Sequence, residues 1–464
     1  MSALSPEAIQ ELQKRVQNVA VPGDAPFDAL RTAWNLCVQQ RPAFIALPST
    51  SEEVAECVRF ARQHGLGVAV QATGHGVGRP ADDALLILTR NLNGVTVDAT
   101  AQTAHIEAGV RWGSVLKAAQ QHRLAPLLGS SMGVGAVGYT LGGGMGWLAR
   151  KYGLACDHVL RFEAVNAQGE IVTASADEHA DLFWALRGGG GANYALVTAM
   201  DIRLFPVTEV YGGSLLYPAE MAKAVFQQFR EWAATLPDEM TASVLIMHYP
   251  DSLELPDMVR GRACAVVRGC FTGEPSEGQA LIDEWRSWQT PEFDLFGAMP
   301  FMGAAAISHD PPGPLAGHSN GGFLTDLSDE TIDIILAHSL PQDGPPPLVK
   351  AEVHLQGGAI ARVPRDAMAV SHRDQPLLLS LIYSTPTDDT YEAAVQHSAD
   401  FLTALSPHSS GAAYANFLSG EEQIARVNGL FEPEKYARLQ AVKAAYDPDN
   451  VFRYGFGVPG QPAG

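Results

Sequence analysis

Hydrophobic and polar residues follow two different periods along the chain. The two-residue period, which is typical of strands, dominates the first 206 residues. Apolar side chains occupy every second position over residues 104–110, which predicts a half-buried strand. Short apolar or alternating runs predict further strands at 44–47, 68–70, 85–88 and 196–205, and a hairpin over 162–174 that turns at Gly169. This part of the chain is therefore predicted to be rich in sheet.

Helices of the first part are indicated by their caps and by their apolar spacing. Residues 1–16 (MSALSPEAIQELQKRV) have the pattern of a capped amphipathic helix. Thr50 and Glu53 have the spacing of a capping box, and the helix that follows would bury one face. Residues 181–191 predict a short helix that ends in four glycines.

After Phe205 and Pro206 the pattern changes to longer helices between alternating strands. Helices are predicted near 218–235, 276–288, 327–338, 388–404 and 433–446, strands near 241–248, 261–271, 348–356 and 376–383, and loops at 312–322 and 341–347. Such an order favours an antiparallel sheet with helices on one face. No repeat of 20 to 50 residues interrupts it.

Charge and composition exclude several classes of protein. The 464 residues carry a formal net charge of −20, with 46% hydrophobic and 18% charged residues. This composition predicts a globular chain with a sizeable core. Nucleic acids and anionic membranes both require clustered Lys and Arg, so the acidic balance argues against either partner.

The cysteines and the absence of long apolar runs indicate the cellular environment in which the protein is expected. The five cysteines form no CxxC pair, so a disulfide framework or a zinc site has little support, and no metal is expected. Cys264 and Cys270 share one face of a predicted strand and are expected to be packing residues. No signal core opens the chain and no apolar run reaches 18 residues, which favours a cytoplasmic protein without a membrane span.

Residues 133–138 (GVGAVG) match the dinucleotide-binding pattern GxGxxG, and Asp157 follows at a suitable distance. That pattern requires a helix at its third glycine. Gly142, Gly143 and Gly144 would interrupt such a helix, each at a cost of about 1 kcal/mol relative to alanine. A Rossmann-type nicotinamide enzyme therefore stays only as an alternative.

Three glycine-rich segments offer a different interpretation. They are 71–78 (QATGHGVG), 130–146 (SSMGVGAVGYTLGGGMG) and 187–197 (RGGGGANYALV), each expected at the end of a strand. Glycines let backbone N–H groups approach an anion, so three such segments suit a long ligand with a diphosphate. His75 lies within the first segment, either facing that ligand or merely bonding a carbonyl in the turn.

The same segments resemble the FAD-linked oxidases of the vanillyl-alcohol-oxidase type, and among them the berberine-bridge-enzyme-like branch. The motifs that carry the resemblance are QATGHGVG, GGGMGWLARKYGLACD (142–157), DLFWALRGGGGANYALVT (181–198), Tyr-x-Asn-Phe at 414–417 and YARLQAVKAAYDPDNVFR (436–453). Gln71 and Thr73 stand where the family has arginine and glycine. The resemblance is close over about 40–206 and 412–453 and loose between them.

This resemblance implies a two-lobed α+β fold with a PCMH-type FAD-binding domain. The FAD-binding domain would be residues 1–206, with its core at about 40–206. Residues 207–410 would form a substrate domain whose antiparallel sheet is covered by helices. Residues 411–464 would return to the FAD-binding domain.

The resemblance also implies FAD bonded covalently through His75. Ser131 stands where many relatives have a second linking cysteine, so one link is expected. Tyr139 replaces a histidine of many relatives, and Val134 occupies a position associated with oxygen access. The expected FAD contacts are Ala72, Thr73, Gly74, His75, Gly76, Val77, Gly78, Ser130, Ser131, Val134, Gly135, Gly138, Tyr139, Gly142, Gly143, Gly146, Val197 and Asn416.

A catalytic base is harder to assign, because Arg362 stands where the plant alkaloid-type relatives have a glutamate. Alternation puts Lys350, Glu352, His354 and Gln356 on one strand face, which would face either the flavin or, on an edge strand, solvent. Tyr414 is a second candidate, since the sugar-oxidising relatives use that tyrosine. Its pKa would have to be lowered from about 10 for this role. His248 and Tyr383 are weaker candidates.

The predicted function is that of an FAD-dependent oxidase. It would move a hydride from a substrate C–H bond of an alcohol, amine or secondary metabolite to flavin N5, and dioxygen would regenerate the flavin with release of hydrogen peroxide. The absent glutamate base and the lysine on the strand resemble the amine-oxidising bacterial relatives, a likeness that implies an amine substrate. The alternatives are an FAD dehydrogenase with another acceptor, the Rossmann enzyme, and a non-catalytic flavin-binding protein.

Overall fold

The structure is a computed structural model that describes residues 6–253, 257, 259–341 and 346–459. Its strands are β1 (Val19–Ala20), β2 (Phe44–Ala46), β3 (Val68–Gln71), β4 (Leu85–Leu88), β5 (Val95–Asp98), β6 (Thr103–Glu107), β7 (Val159–Val165), β8 (Ile171–Ser175), β9 (Leu196–Arg203), β10 (Glu209–Pro218), β11 (Met240–His248), β12 (Ala263–Phe271), β13 (Phe293–Asp294), β14 (Gly297–Pro300), β15 (Gly317–Leu324), β16 (Leu348–Leu355) and β17 (Leu377–Ser384).

The helices are α1 (Pro6–Arg15), α2 (Phe27–Arg31), α3 (Ser51–Gln63), α4 (Trp112–Gln120), α5 (Ala136–Leu141), α6 (Ala149–Tyr152), α7 (Ala180–Leu186), α8 (Ala222–Ala233), α9 (Pro275–Trp288), α10 (Asp329–Ser339), α11 (Ala359–Arg362), α12 (Asp388–Ala404), α13 (Gly420–Ala425), α14 (Val427–Leu430) and α15 (Pro433–Tyr446). Short 3₁₀ segments lie at Thr89–Asn91, Ala155–His158, Ala219–Met221, Phe301–Ile307, Arg365–Ala367, Ser406–His408 and Ala415–Phe417.

Two sheets form the first part of the molecule. One has the strand order β1-β2-β4-β3, in which β4 is parallel to both β2 and β3. The other is antiparallel, with the order β5-β6-β9-β7-β8. Helix α3 shares one apolar core with both sheets, because Val54 and Cys57 cluster with Ile87 of β4 and Phe162 of β7.

The predicted cap of α3 forms only in part. The Thr50 hydroxyl accepts from the Glu53 N–H at 3.3 Å, as expected. The Glu53 carboxylate accepts from the Ser49 N–H at 2.7 Å instead of the Thr50 N–H. The helix start was therefore predicted correctly, although the reciprocal hydrogen bond reaches one residue further back.

A large antiparallel sheet follows, with the strand order β13-β10-β12-β11-β16-β17-β15 and with β14 beside β10. We call it the large sheet. Helices α8, α9, α10 and α12 pack on one face, where Phe229, Trp285, Ile335 and Phe401 share a core with Val353 of β16. The predicted arrangement of an antiparallel sheet under helices is confirmed, and the opposite face is left for the cavity described below.

The loop predicted at 312–322 is wrong, because β15 begins at Gly317. Residues such as Gly321 and Asn320 have low strand propensity, and pairing with β17 outweighs that preference. Gly321 packs so closely on the backbone of Leu379 that a Cβ atom would collide with its carbonyl oxygen. Strand β10 was not anticipated either, while most of the predicted loop at 341–347 lies outside the described residues.

Two of the three glycine-rich segments also differ from expectation. Residues 71–78 do follow a strand, β3. Residues 130–146 follow α4 and an irregular connection, and residues 187–197 follow α7, so neither lies at the end of a strand. Helix α5 ends where Gly142 caps it, after six residues, which agrees with the argument against a Rossmann helix.

The end of the chain packs against the first part. Leu439, Val442 and Phe452 belong to the same core as Val54 of α3, and the Val68 N–H donates to the Val451 carbonyl at 2.9 Å. We propose the division into residues 1–206, 207–410 and 411–464 on this basis. Among the described residues, none of the helices combines the length and the apolar character needed to cross a bilayer.

Candidate flavin and substrate site

A cavity of about 1470 Å³ separates the glycine-rich segments from the large sheet. Its lining includes residues 69–79, parts of 129–147, and side chains from β10, β11, β12, β16 and β17. Ligand sites usually measure about 300–1,000 Å³. The cavity therefore has room for a long cofactor and a second small molecule.

The His75 side chain is held by two neighbours within this cavity. Its ring stacks on Trp34, with 4.3 Å between centroids and 17° between planes. Its Nδ1 atom lies 2.7 Å from the Thr73 hydroxyl. Gly74, at φ +82°, allows this turn, because a Cβ atom there would lie 2.7 Å from the Trp34 nitrogen. The imidazole thus has one orientation towards the cavity.

Burial, together with the nearby positive charge of Arg111, lowers the pKa of His75 to about 4. The ring is therefore neutral at pH 7, and one nitrogen carries a free electron pair. That state is the one a histidine needs to form a bond to carbon.

Most of the expected flavin contacts line the cavity. They are Ala72, Thr73, Gly74, His75, Gly76, Val77, Gly78, Ser130, Ser131, Val134, Gly135, Gly138, Tyr139, Gly146, Val197 and Asn416. Gly142 and Gly143 lie outside the lining. Both pack closely on the tail of the chain, Gly142 against the Asn416 amide and Gly143 against the Tyr414 ring, so their lack of a side chain serves packing.

The cavity walls fit a large polar cofactor such as FAD. At Gly76 and Gly138 an added Cβ atom would meet no protein atom within 4 Å. Six lining residues of the described chain also have a buried polar atom without a hydrogen-bond partner: Arg79 Nε, Tyr139 Oη, Trp147 Nε1, Arg268 Nε, His318 Nδ1 and Gln423 Oε1. Open glycines beside unsatisfied donors and acceptors are features of a ligand cradle.

Three ionisable residues of β16 face the same cavity. Strand β16 lies between β11 and β17, so the alternative of an edge strand facing solvent is wrong. Lys350 Nζ donates to Glu352 Oε2 at 2.6 Å, and His354 Nε2 lies 3.8 Å from the same oxygen. Gln356 follows the end of β16 at Leu355 and donates to Met145 Sδ at 3.1 Å. Unlike Met145, it is not among the described residues that line the cavity.

Glu352 is the centre of this cluster and is only 2% exposed. The Ser243 hydroxyl donates to Glu352 Oε1 at 2.6 Å, and Arg268 Nη1 lies 3.5 Å from Oε2. Burial acts to raise the pKa of Glu352, but Lys350, His354 and Arg268 together lower it well below its usual range. The carboxylate is therefore held ionised by its neighbours.

His354 has the opposite state. Burial is the main reason that its pKa falls to about 4, and the positive charges of Lys350 and Arg268 act in the same direction against the Glu352 carboxylate. The imidazole is neutral at pH 7 and can accept a proton. It lies beside the ring of Phe417, with 5.2 Å between centroids.

Tyr414 lacks the geometry expected of a base. Its hydroxyl accepts from the Gly144 N–H at 2.8 Å, and the residue is absent from the cavity lining in the described chain. Burial raises the pKa of Tyr414, whereas the proposed role needs a lowered value. Asn416, two residues later, does line the cavity and donates to the Tyr139 carbonyl at 2.9 Å.

The weaker candidates have other partners. His248 is linked to the Ser339 carbonyl at 2.8 Å, and the Tyr383 hydroxyl lies 3.0 Å from His397 Nδ1. The sequence-based assignment missed Ser243 and Arg268. An arginine inside the otherwise apolar run ACAVVRGCF was the available signal, because a charged side chain in such a strand requires a partner.

Comparison with known proteins identifies this arrangement. A model of an FAD binding domain matches residues 42–175, and a model described as berberine and berberine-like matches residues 413–459. The chain therefore contains both domains that characterise the berberine-bridge-enzyme-like FAD-linked oxidoreductases. The predicted family, the FAD cofactor and the enzyme class are confirmed, which leaves the Rossmann and the non-catalytic alternatives without support.

Relatives of this oxidoreductase extend over almost its whole length. An uncharacterised FAD-linked oxidoreductase of Bacillus subtilis is 27% identical over 97% of this chain and 98% of its own. The (R)-6-hydroxynicotine oxidase of Paenarthrobacter nicotinovorans is 28% identical over 95% and 96%. The glucooligosaccharide oxidase of Sarocladium strictum is 27% identical over 91% and 88%.

Solved structures support the fold. The 6-hydroxy-D-nicotine oxidase of Arthrobacter nicotinovorans superposes with a TM-score of 0.82 at 25% identity, over 96% of this chain and 98% of that one. Berberine bridge enzyme gives a TM-score of 0.84 at 20% identity, over 98% and 99%. The predicted two-lobed α+β fold is confirmed.

Proposed function

We propose that this oxidoreductase is an oxidase of small molecules. It removes a hydride from a C–H bond beside an amine nitrogen or an alcohol oxygen and uses dioxygen as the final acceptor. The observation that carries the proposal is the charged cluster of β16, which lines the same cavity as His75. When bound, FAD accepts the hydride at N5 and returns both electrons to dioxygen, which leaves as hydrogen peroxide.

His75 is the residue proposed to bond the flavin. Its neutral imidazole, stacked on Trp34, has a free electron pair directed by the contact to Thr73. Ser131 supplies a hydroxyl where a second link would need a thiol, and its oxygen accepts from the Gly133 N–H at 3.3 Å. We therefore propose a single covalent link, through His75.

Lys350 and Glu352 are proposed to bind and orient the polar group at the reacting carbon. The Lys350 ammonium contacts Glu352 and also lines the cavity, so it can donate a second hydrogen bond to a substrate oxygen or nitrogen. Glu352 keeps its charge because Lys350 and Arg268 contact Oε2 and the Ser243 hydroxyl donates to Oε1, and in this position it orients the Lys350 ammonium.

His354 is proposed to accept the companion proton. Hydride loss from a C–H bond leaves a cationic C=N or C=OH group unless a proton departs as well. The neutral His354 ring lines the cavity and lies beside Glu352, whose negative charge stabilises the imidazolium that forms. Tyr414 remains a candidate only if the bound cofactor rearranges its contact with Gly144.

An amine is favoured as the substrate by the named relative that acts on 6-hydroxynicotine, and an alcohol by the oligosaccharide oxidases. Dioxygen as the acceptor is proposed from Val134, a small side chain at the cavity wall. A dehydrogenase with another acceptor is the alternative, and the cytoplasmic location stays a prediction.

The test has two steps. Acid precipitation of purified protein should leave the flavin in the pellet for the wild type and in the supernatant for His75→Ala. The wild-type flavin should then be bleached without air by at least one member of a panel of amines and alcohols, and air should restore its colour with one hydrogen peroxide per turnover. A protein that binds no FAD would contradict the proposal. Fast dye reduction without oxygen consumption would establish the dehydrogenase instead.

A further inference from the structure

The cavity face of the large sheet has two chemically different halves. Strand register places Leu216, Val266, Leu245, Glu352 and Ser380 side by side in one row across five strands. Directly paired residues of an antiparallel sheet point to the same face. The row is therefore apolar on β10, β12 and β11 and polar on β16 and β17.

The next row repeats this division except on β17, where the apolar Ile382 lies beside Lys350. Cys264 of β12 and Met247 of β11 lie beside Lys350 of β16. We call the part on β10, β12 and β11 the apolar half and the part on β16 and β17 the charged half. The row on the other side is polar on β10, β12, β11 and β16, with Ser214, Arg268, Ser243 and His354, and it ends at Leu378 of β17. It limits the apolar half to two rows.

The apolar half is covered by side chains that also line the cavity. Leu216 and Val259 are buried in one cluster with Val266, and Met247, Tyr249 and Phe293 pack on that cluster while remaining partly exposed. All of these except Val266 line the cavity. Their free surfaces form an apolar wall that begins next to Lys350 and reaches Leu295, which is 51% exposed at the rim.

We propose that the substrate is amphipathic, with its reacting polar end on the charged half and an alkyl or aryl tail on the apolar half. This inference rests on the proposed function, because the charged half fixes which end reacts. Lys350 and His354 then bind the nitrogen or oxygen beside the oxidised carbon. The tail lies against Met247, Tyr249 and Phe293.

A sugar fits this wall poorly. Each buried hydroxyl group of a sugar loses water and needs a partner of its own. Among the described residues of 247–259 that line the cavity, Tyr249 and Ser252 carry hydroxyl groups, and His248 is bonded to the Ser339 carbonyl. The remaining side chains of this group are apolar. The inference therefore separates this chain from the oligosaccharide oxidases to which it is similar.

The experiment uses the flavin-loaded protein and the probes 4-methylphenol, 4-propylphenol and 4-pentylphenol. Binding is followed by the change in the visible absorption of the bound flavin. Burial of each added methylene should tighten binding by about fourfold. In Met247→Gln, which keeps the side-chain length, the gain should fall to roughly twofold or less. D-glucose should cause no spectral change.

Ile171→Gln is the matched control, because Ile171 is exposed on β8, the edge strand of a different sheet, and is not among the described residues that line the cavity. This variant should keep the dependence on chain length, and thermal unfolding of both variants reports whether they fold. Affinity that is independent of chain length in the flavin-loaded wild type, or tighter binding of glucose than of the phenols, would overturn this inference alone. A protein that takes up no FAD would overturn the proposed function together with it.

Discussion

The Thr73 hydroxyl lies 2.7 Å from Nδ1 of His75, two residues away in a turn where relatives carry glycine. If Nδ1 carries the hydrogen and donates it to Thr73, the electron pair of the neutral ring resides on Nε2. Thr73 then selects the nitrogen that can attack carbon, because the hydrogen bond of one ring nitrogen determines the state of the other.

Thr73→Val should therefore slow covalent attachment of flavin roughly three- to tenfold, the equivalent of one lost hydrogen bond. Thr73→Ser keeps the hydroxyl and should behave like the wild type. The measurement is the fraction of flavin that stays with acid-precipitated protein at successive times after FAD addition, with His75→Ala as the background. Equal rates for the valine and serine variants would remove this role from Thr73.

Lys350→Met should lower kcat/KM by about 10²- to 10³-fold, in the range of a lost proton-transfer or orienting group. Steady-state kinetics on any substrate from the panel would measure it. Lys223→Met is a suitable control, since Lys223 forms an exposed ion pair with Asp333. Similar losses in both variants would show that the effect is not specific to the cluster.

Glu352→Gln should lower stability more than Lys350→Met does. It leaves Arg268 and Lys350 without their shared anion in a buried site, a change that typically costs about 3–5 kcal/mol. Lys350→Met leaves Glu352 paired with Arg268 and Ser243. Chemical denaturation of the two variants compares them, and equal midpoints would contradict the central place of Glu352.

Tyr414→Phe should retain kcat within a few fold and lose about 1 kcal/mol of stability, the contribution of one hydrogen bond to Gly144. Pre-steady-state reduction of the flavin is the appropriate readout. A loss of 10²-fold or more, in the range of a missing general base, would return Tyr414 to that role in place of His354.

Val134→Ile should slow reoxidation by dioxygen by about tenfold, which corresponds to about 1.4 kcal/mol in the barrier. Val134 lines the cavity directly before Gly135, the N-cap residue of α5, and one more methylene there narrows the space beside the cofactor. Reduction by substrate and turnover with a dye should stay unchanged. If the rates of flavin reduction by substrate and of flavin reoxidation by dioxygen fell equally, the substitution would instead have displaced the flavin.

Acid should destabilise the protein before its carboxylates titrate. His75, His318 and His354 all have pKa values lowered to about 4, with burial as the largest cause. The pKa of a histidine in the unfolded chain is about 6.5, so between about pH 6.5 and pH 4 the unfolded chain binds more protons than the folded one. The stability contributed by these neutral histidines is therefore complete above this pH window and is lost as the pH falls through it. Each histidine contributes up to about 1.4 kcal/mol per pH unit. His318→Asn should flatten the pH dependence of the denaturation midpoint.

The sequence predicted the elements whose patterns are local. The alternation at 104–110 and 162–174, the cap at Thr50 and the helices of the second part all appear in the structure, because each depends on nearby residues. Strand β15 did not follow from its residues, since its glycines form a strand only by pairing with β17.

The residues of the candidate site that share one strand were predicted from the sequence, whereas their contacts with other strands were not. The face shared by Lys350, Glu352 and His354 followed from alternation, but its orientation towards the cavity depends on β16 lying inside the sheet. Arg268 and Ser243 reach Glu352 from β12 and β11, and their contacts depend on register between strands distant in sequence. The roles of Gly142 and Gly143 likewise depend on the tail of the chain returning to them.

The two halves of the cavity face belong to separate stretches of chain. The apolar half is built by residues 210–293 and the charged half by residues 348–384. Substitutions in the first stretch can alter which tails are accepted while leaving the Lys350–Glu352–His354 chemistry intact. Substrate preference in this fold can therefore change through substitutions in one stretch of chain alone. Paralogues with unlike substrates are expected to differ first along β10, β12 and β11.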